Sequence, residues 1–132
     1  MSPKLQKKLF KKYPKIFQDR KKSLTQTAMC WGIETGDGWF WLLDLLCAML
    51  QFDTDHNQEP QVIASQVKEK YGGLRFYNNG ASDTQEGIIR LAERMSYSIC
   101  ENCGSTEATQ NKKGWILTLC KKCRKNRKDI GR

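Results

Sequence analysis

Cys100-Glu-Asn-Cys103 and Cys120-Lys-Lys-Cys123 stand sixteen residues apart, a C-x2-C-x16-C-x2-C pattern. Each C-x2-C turn brings two sulfurs to one side of a metal, and four thiolates satisfy tetrahedral zinc. Gly104 follows the second cysteine, where the absence of a Cβ lets backbone amides turn toward the sulfurs. Gly114 precedes the apolar run Trp115-Ile-Leu-Thr-Leu119, which reads as a strand delivering Cys120. The expectation is a zinc-ribbon or treble-clef-like module with Cys100, Cys103, Cys120 and Cys123 as ligands. Four cysteines and no open position describe a structural Zn2+ rather than a catalytic one. A disulfide framework would need an export route, and the basic, amphipathic first residues are followed by no apolar run or small-residue cleavage site. Cys30, beside Trp31, and Cys47, inside a Leu-rich segment, read as small buried hydrophobes.

Upstream of Cys100, Ser82-Asp83-Thr84-Gln85 resembles a capping box. It predicts a helix over about 84–99 whose inner stripe is Ile88, Leu91, Ala92 and Met95. Residues 62–71 fit a strand or a short helix equally by periodicity. The Gly72-Gly73 pair followed by Leu-Arg-Phe-Tyr favours a β-hairpin over about 62–77, the glycines supplying positive φ in the turn. In that hairpin Leu74 and Phe76 face one way, Arg75 and Tyr77 the other. Residues 38–52 are apolar nearly all round, so they are expected as a helix in the middle of the body, capped by Asp37. Residues 53–60 read as a polar loop ending on Pro60, and 23–38 as irregular chain. Ser2-Pro3 opens a basic amphipathic helix with Leu5, Leu9, Phe10 and Tyr13 on one face, docked on the core, and a short turn with Ile16 and Phe17 follows Pro14. The fold class is α+β: a small helical body with a β-hairpin (1–99), then the four-cysteine module with its basic tail (100–132).

The chain has 132 residues and a formal net charge of +9, with 39% hydrophobic and 28% charged residues. That balance suits one soluble domain with a stapled appendage and excludes a disordered or collagen-like chain. The longest apolar run, Trp39–Leu50, is interrupted by Asp44 and falls short of a membrane span. Residues 1–23 carry nine Lys or Arg against Asp19, and 112–132 carry nine against Asp129, whereas the middle holds five against twelve acids. An acidic body with a basic segment at each end suits acidic partners, or simply a solvated, self-complementary surface. Folding around zinc would gather Lys112, Lys113, Lys121, Lys122, Arg124, Lys125, Arg127 and Lys128 on one small knob able to bind nucleic-acid phosphates. Arg75, Phe76 and Tyr77 suggest a base-stacking platform. The competing reading puts Leu74 and Phe76 in the core with Tyr77 at the rim.

Signatures of catalysis are missing. His56 is the only histidine and stands among Asp53, Asp55 and Glu59. In ββα-metal nucleases the catalytic histidine lies between the cysteine pairs, whereas this one precedes both by more than forty residues. No phosphate-binding G-x-x-x-x-G-K-[ST], no G-x-S-x-G and no H-x-E metal pair occurs.

Three stretches together resemble a widespread family of small, mostly uncharacterised proteins encoded by tailed bacteriophages and prophages. They are Cys-Trp-Gly-Ile-Glu-Thr-Gly-Asp-Gly-Trp at 30–39, Val-Lys-Glu-Lys-Tyr-Gly-Gly-Leu-Arg-Phe-Tyr at 67–77, and the Cys100–Cys123 block with its Gly-Trp-Ile. The resemblance implies phage origin and the host cytoplasm, and brings no reaction or catalytic residues with it. The first functional expectation is a non-enzymatic zinc protein binding nucleic acid through its basic module. The alternative is a host-directed or anti-defence protein that inhibits a host protein or sequesters a small nucleotide signal. Its ligand pocket would involve Trp31, Asp37, Arg75, Tyr77 and the Gly36-Asp37-Gly38 turn. No membrane association is expected.

Overall fold

The computed structural model describes residues 1–127 as an α+β molecule. Four helices, α1 (Pro3–Lys12), α2 (Phe40–His56), α3 (Asp83–Ser96) and the short α4 (Lys121–Lys125), accompany two small sheets. The larger sheet runs β1 (Ile33–Glu34), β2 (Ile63–Lys70), β3 (Gly73–Asn79), with β1 parallel to β2 and β3 antiparallel to it. The smaller pairs β4 (Thr109–Gln110) with β5 (Thr118–Leu119) in antiparallel register. Among the described residues no helix is long and apolar enough to cross a membrane.

The predicted hairpin is present, with its turn one residue earlier than expected. Positive φ falls on Tyr71 (53°) and Gly72 (84°), while Gly73 already opens β3 opposite Lys70. Two successive positive-φ residues match the twist of paired strands. Leu74 and Phe76 are buried and Tyr77 is exposed, so the alternation holds and Phe76 belongs to the core. The register slips between Ala64 and Gln66. The Ser65 carbonyl at that bulge accepts from Ala28 N (3.1 Å) and Thr27 Oγ1 (2.9 Å), so that carbonyl is satisfied off the ladder. The irregular 23–38 stretch thus braces the sheet and supplies β1, a strand too short to show in the pattern.

One face of this sheet meets the helices. Ile33, Val67, Leu74 and Phe76 pack with Leu9 and Tyr13 of α1, Leu43, Leu46 and Leu50 of α2, and Ile89 and Ala92 of α3. Ile16 and Phe17, in the turn after Pro14, are fully buried in the same cluster. The basic first helix is therefore docked, as its amphipathic pattern predicted. Its anchor is Asp44, which accepts from Tyr13 Oη (2.6 Å) and Lys12 Nζ (3.0 Å). Burial, reinforced by the bonded Asp44 carboxylate, pushes the Tyr13 phenol well above its ordinary range.

Three expectations about the helices are corrected. The second helix is not central: Leu42, Leu43, Leu46, Cys47 and Leu50 are buried, but Trp41 (70% exposed), Leu45 (65%), Met49 and Phe52 form a solvent-facing stripe. A single sheet and two flanking helices cover only one side of it. This helix also runs on through His56, and Trp39, not Asp37, precedes it at the cap position. On α3 the capping box is formed by Ser82 and Gln85, but the buried positions are Gln85, Ile89, Ala92 and Ser96, while Leu91 and Met95 are exposed. Gln85 is buried because its amide donates to the Pro60 carbonyl (2.9 Å), and Ser96 because its hydroxyl accepts the Leu74 amide (2.9 Å). Polar side chains that satisfy backbone groups outcompeted apolar ones for the inner face.

A second buried cluster, Cys100, Leu117, Leu119, Cys120 and Cys123, lies beyond α3. It is stitched to the first by hydrogen bonds at the Gly36–Trp39 turn. Gly38 N donates to Glu101 O (2.7 Å), Gly36 N to Glu101 Oε2 (2.8 Å), and Trp39 Nε1 to Ile99 O (2.8 Å). A Cβ on Gly38 would lie 2.1 Å from the Cys100 carbonyl oxygen, so only glycine permits this approach. Gly38→Ala is therefore expected to lower unfolding free energy by about 2 kcal/mol or more, the range for steric insertion at a packed site. Gly87→Ala, inside α3 with nothing within 4 Å of the added carbon, is expected to raise it by roughly 0.5–1 kcal/mol. Urea denaturation of the two variants measures both.

Candidate metal centre

The end of α3 delivers the first cysteine pair. After Ser96 the chain turns through Tyr97 and Ile99, and Cys100 N donates to Ser105 O (2.7 Å). Gly104, at φ +85°, closes the turn by donating to Cys100 O (2.8 Å). That positive φ is a conformation that glycine adopts without strain. The second pair opens α4: Cys120 occupies its cap position, and its sulfur accepts the Cys123 amide at 3.4 Å. The predicted strand through Trp115 shortens to Thr118–Leu119, because the chain before it is held as a loop. Asn111 organises that loop, donating to the carbonyls of Lys113 (2.7 Å) and Trp115 (2.8 Å) and accepting from Leu117 N (2.7 Å).

All four sulfurs lie within 4.8 Å of one another, so the cluster could hold a metal ion. A tetrahedral ion about 2.3 Å from each sulfur requires sulfur–sulfur edges of roughly 3.8 Å. Cys103 and Cys120 are 3.6 Å apart, close to that edge and far beyond a disulfide bond. Cys100, Cys120 and Cys123 are buried and Cys103 is exposed. The amide donated by Cys123 pulls the Cys120 thiol down to about 7. At Cys103 the Ser105 amide favours the thiolate, but lost hydration and the three neighbouring sulfurs outweigh it and push the thiol up to about 12. A divalent cation bound among the sulfurs would favour the thiolate at each ligand. Asn102 Nδ2 donates to Cys123 Sγ (3.3 Å), an outer hydrogen bond that fixes a ligand's orientation. Sequence reading passed over Asn102, Ser105 and Asn111; an asparagine between the knuckle cysteines was the available sign.

The expected basic residues divide. Lys112 and Lys113 sit exposed on the loop between β4 and β5, and Lys121, Lys122 and Lys125 are exposed on α4. Arg124 is instead half-buried, its guanidinium donating to the carbonyls of Thr109 (2.5 Å) and Leu119 (3.4 Å), and so ties β4 and β5 to α4. Arg127 is half-buried too, and Lys128 lies outside the described residues.

The four residues of the alternative ligand pocket have separate occupations. Asp37 accepts from Ser2 N (2.7 Å), Arg75 donates to Tyr97 Oη (3.1 Å) and Leu74 O (2.9 Å), and Trp31 and Tyr77 are exposed. The Glu101 backbone packs closely against Gly36 and Gly38 of the turn. The acids around His56 are bonded within the fold: Asp53 to Asn57 (2.8 Å), Asp55 to Gln51 (3.0 Å), and Glu59 to Ser82. His56 itself packs against Phe52, ring centroids 4.5 Å apart. No known protein family, curated protein or solved structure matches the chain.

The two remaining cysteines differ, against the expectation that both are buried. Cys30 is exposed, whereas Cys47 is fully buried and its burial pushes the thiol well up. In metal-loaded protein, iodoacetamide is expected to label Cys30 alone. Chelation should then release the four clustered thiols, and Cys47 should react only after denaturation. Intact-mass spectrometry counts the adducts at each stage; rapid labelling of Cys103 in loaded protein would contradict a closed centre.

Proposed function

We propose that the protein is a non-enzymatic zinc protein that binds nucleic acid through the basic surface around its four-cysteine centre. Four soft sulfur ligands within 4.8 Å of one another suit Zn2+, and with every position a cysteine the ion serves structure. Residues 100–125 then form a treble-clef-like module: a knuckle, the β4–β5 pair, and a second knuckle at the start of α4. The observation that carries the binding reading is the set of cations on this module. Lys112, Lys113, Lys121, Lys122 and Lys125 are exposed. The ion pairs among the described residues, Lys12–Asp44 and Lys22–Asp19, involve none of them. Cations held on a metal-braced scaffold neutralise phosphates and release counterions, which gives affinity without base readout. The resemblance to tailed-phage proteins supports a setting in the cytoplasm of an infected bacterium.

A second reading, occlusion of a host protein, is favoured by the exposed Trp41, Leu45, Met49 and Phe52 stripe of α2. It calls for a stable, salt-tolerant complex with one protein and little affinity for polymers.

For the first reading, six neutralised phosphates correspond to a log–log slope of affinity on salt of about −5. Changing Lys112, Lys113, Lys121, Lys122 and Lys125 to Gln is expected to flatten that slope by roughly 0.7–0.9 for each phosphate no longer neutralised, and to leave the metal content unchanged. Fluorescence anisotropy across a salt series measures it. An unchanged slope counts against the proposal.

A further inference from the structure

The hairpin turn and the metal module meet at an open cleft. Thr118 Oγ1 donates to the Gly72 carbonyl at 2.5 Å, and a Cβ on Gly72 would touch Ile116 at 3.0 Å, so the turn rests directly on the segment before β5. Between them lies a cavity of about 530 Å³ lined by Lys68, Glu69, Lys70, Tyr71, Trp115 and Ile116. That volume falls within the range of small-ligand and single-residue subsites.

Two aromatic rings occupy this cleft, and both are presented to solvent: Tyr71 is 71% exposed and Trp115 is 65% exposed. Neither is there by accident of a loose loop. Trp115 is placed by the Asn111 bond to its carbonyl (2.8 Å) and by Gly114 at φ +74°. Tyr71 stands at φ +53°, a backbone region that is an outlier for a bulky side chain. A hairpin turn of this kind favours asparagine, aspartate or glycine at that position. The chain therefore tolerates strain to put an aromatic ring at the cleft's mouth, and such strain clusters where a site needs it. The cations are placed to match. Lys70 Nζ lies 5.7 Å from the Tyr71 ring centroid, Lys68 shares the wall, and Lys112 and Lys113 precede Trp115 on the same loop. The one acid in the wall, Glu69, spends a carboxylate oxygen on the Gly72 amide (2.7 Å).

Aromatic faces flanked by lysines suit unpaired nucleobases, which stack on the rings while their phosphates meet the ammonium groups. Bases in a duplex keep both faces covered by their neighbours and cannot enter. We propose that this cleft is a base-stacking subsite that makes the protein a binder of single-stranded nucleic acid. The proposal rests on the nucleic-acid reading above and specifies its ligand.

The test compares a fluorescein-labelled deoxythymidine 20-mer with a duplex of equal length, at one salt concentration, by anisotropy. Trp115→Ala is expected to weaken single-strand binding roughly 5- to 150-fold, the range for losing one stacked base, with duplex binding changed less than about twofold. Tyr71→Asn gives a sharper outcome. It restores the residue the turn prefers, so it should raise the urea midpoint while lowering single-strand affinity, a combination that a purely structural tyrosine would not produce. Trp115→Phe should recover most of the loss. If both variants bind the single strand as the parent does while the five-lysine variant remains defective, the subsite is wrong and the phosphate-binding reading stands. Equal losses on both polymers also overturn the subsite, as does tight, salt-tolerant capture of a mononucleotide in the cleft. A parent protein that binds neither polymer at low salt overturns both readings.

Discussion

The Glu101 backbone fits into a gap that glycines at 36 and 38 leave open, and this clamp decides how the two halves of the molecule sit together. Its hydrogen bonds are short: one joins two main-chain groups and another joins a carboxylate to a main-chain amide. An amide left unpaired there would cost about 1–3 kcal/mol, so the knuckle cannot drift from the body without penalty. Everything attached to the knuckle inherits that fixed position: Gly104 packs over Gly38, and β5 reaches back to the hairpin turn through Thr118. The cleft with Tyr71 and Trp115 exists because the clamp at one end and the Thr118 bond at the other hold two separate elements at a set spacing.

The division of labour between the two buried clusters follows from size. The body has a sheet face and three helices to fill its interior, and it buries aromatic and aliphatic side chains from all of them. The hydrophobic cluster from Cys100 onward consists, among the described residues, of Leu117, Leu119, Cys100, Cys120 and Cys123, with Ala108 against them, and Cys103 is exposed. A segment of that length with two buried leucines lacks the apolar area to order itself, which is why small modules use cross-links or metals. Four sulfurs that could hold a metal ion offer what the leucines do not. Arg124 adds to the same end by bonding to two carbonyls on neighbouring strands, a structural task for a side chain that charge alone would assign to the surface.

Features with a local physical cause were readable from the chain. The cysteine spacing, the Ser82–Gln85 cap and the Leu74/Phe76 alternation each depend on neighbours within a few residues, and each is present. Features set by distant partners were not. Which side of α2 faces water depends on how many elements are available to cover it, and a run that is apolar all round carries no record of that. The burial of Gln85 and Ser96 depends on Pro60 and Leu74 bringing backbone groups to them. The hairpin shows the boundary between the two cases: paired glycines marked the turn, but the tyrosine before them, not the second glycine, carries the positive φ. The aromatic cleft was hidden for the same reason, since its walls come from positions more than forty apart in the sequence.

The sequence distances in this architecture also bias its order of assembly. The cysteine pairs close a loop of only twenty-three positions between Cys100 and Cys123, whereas the Gly36–Glu101 bond spans sixty-five. Loop entropy grows as about (3/2)RT ln n, so the shorter closure is favoured by roughly 1 kcal/mol before any interaction energy is counted. On the zinc reading proposed above, capture of an ion precedes docking, and the segment meets the body as a preformed unit rather than as a floppy tail. A nascent chain short of that ion would present Gly36 and Gly38 with nothing shaped to receive.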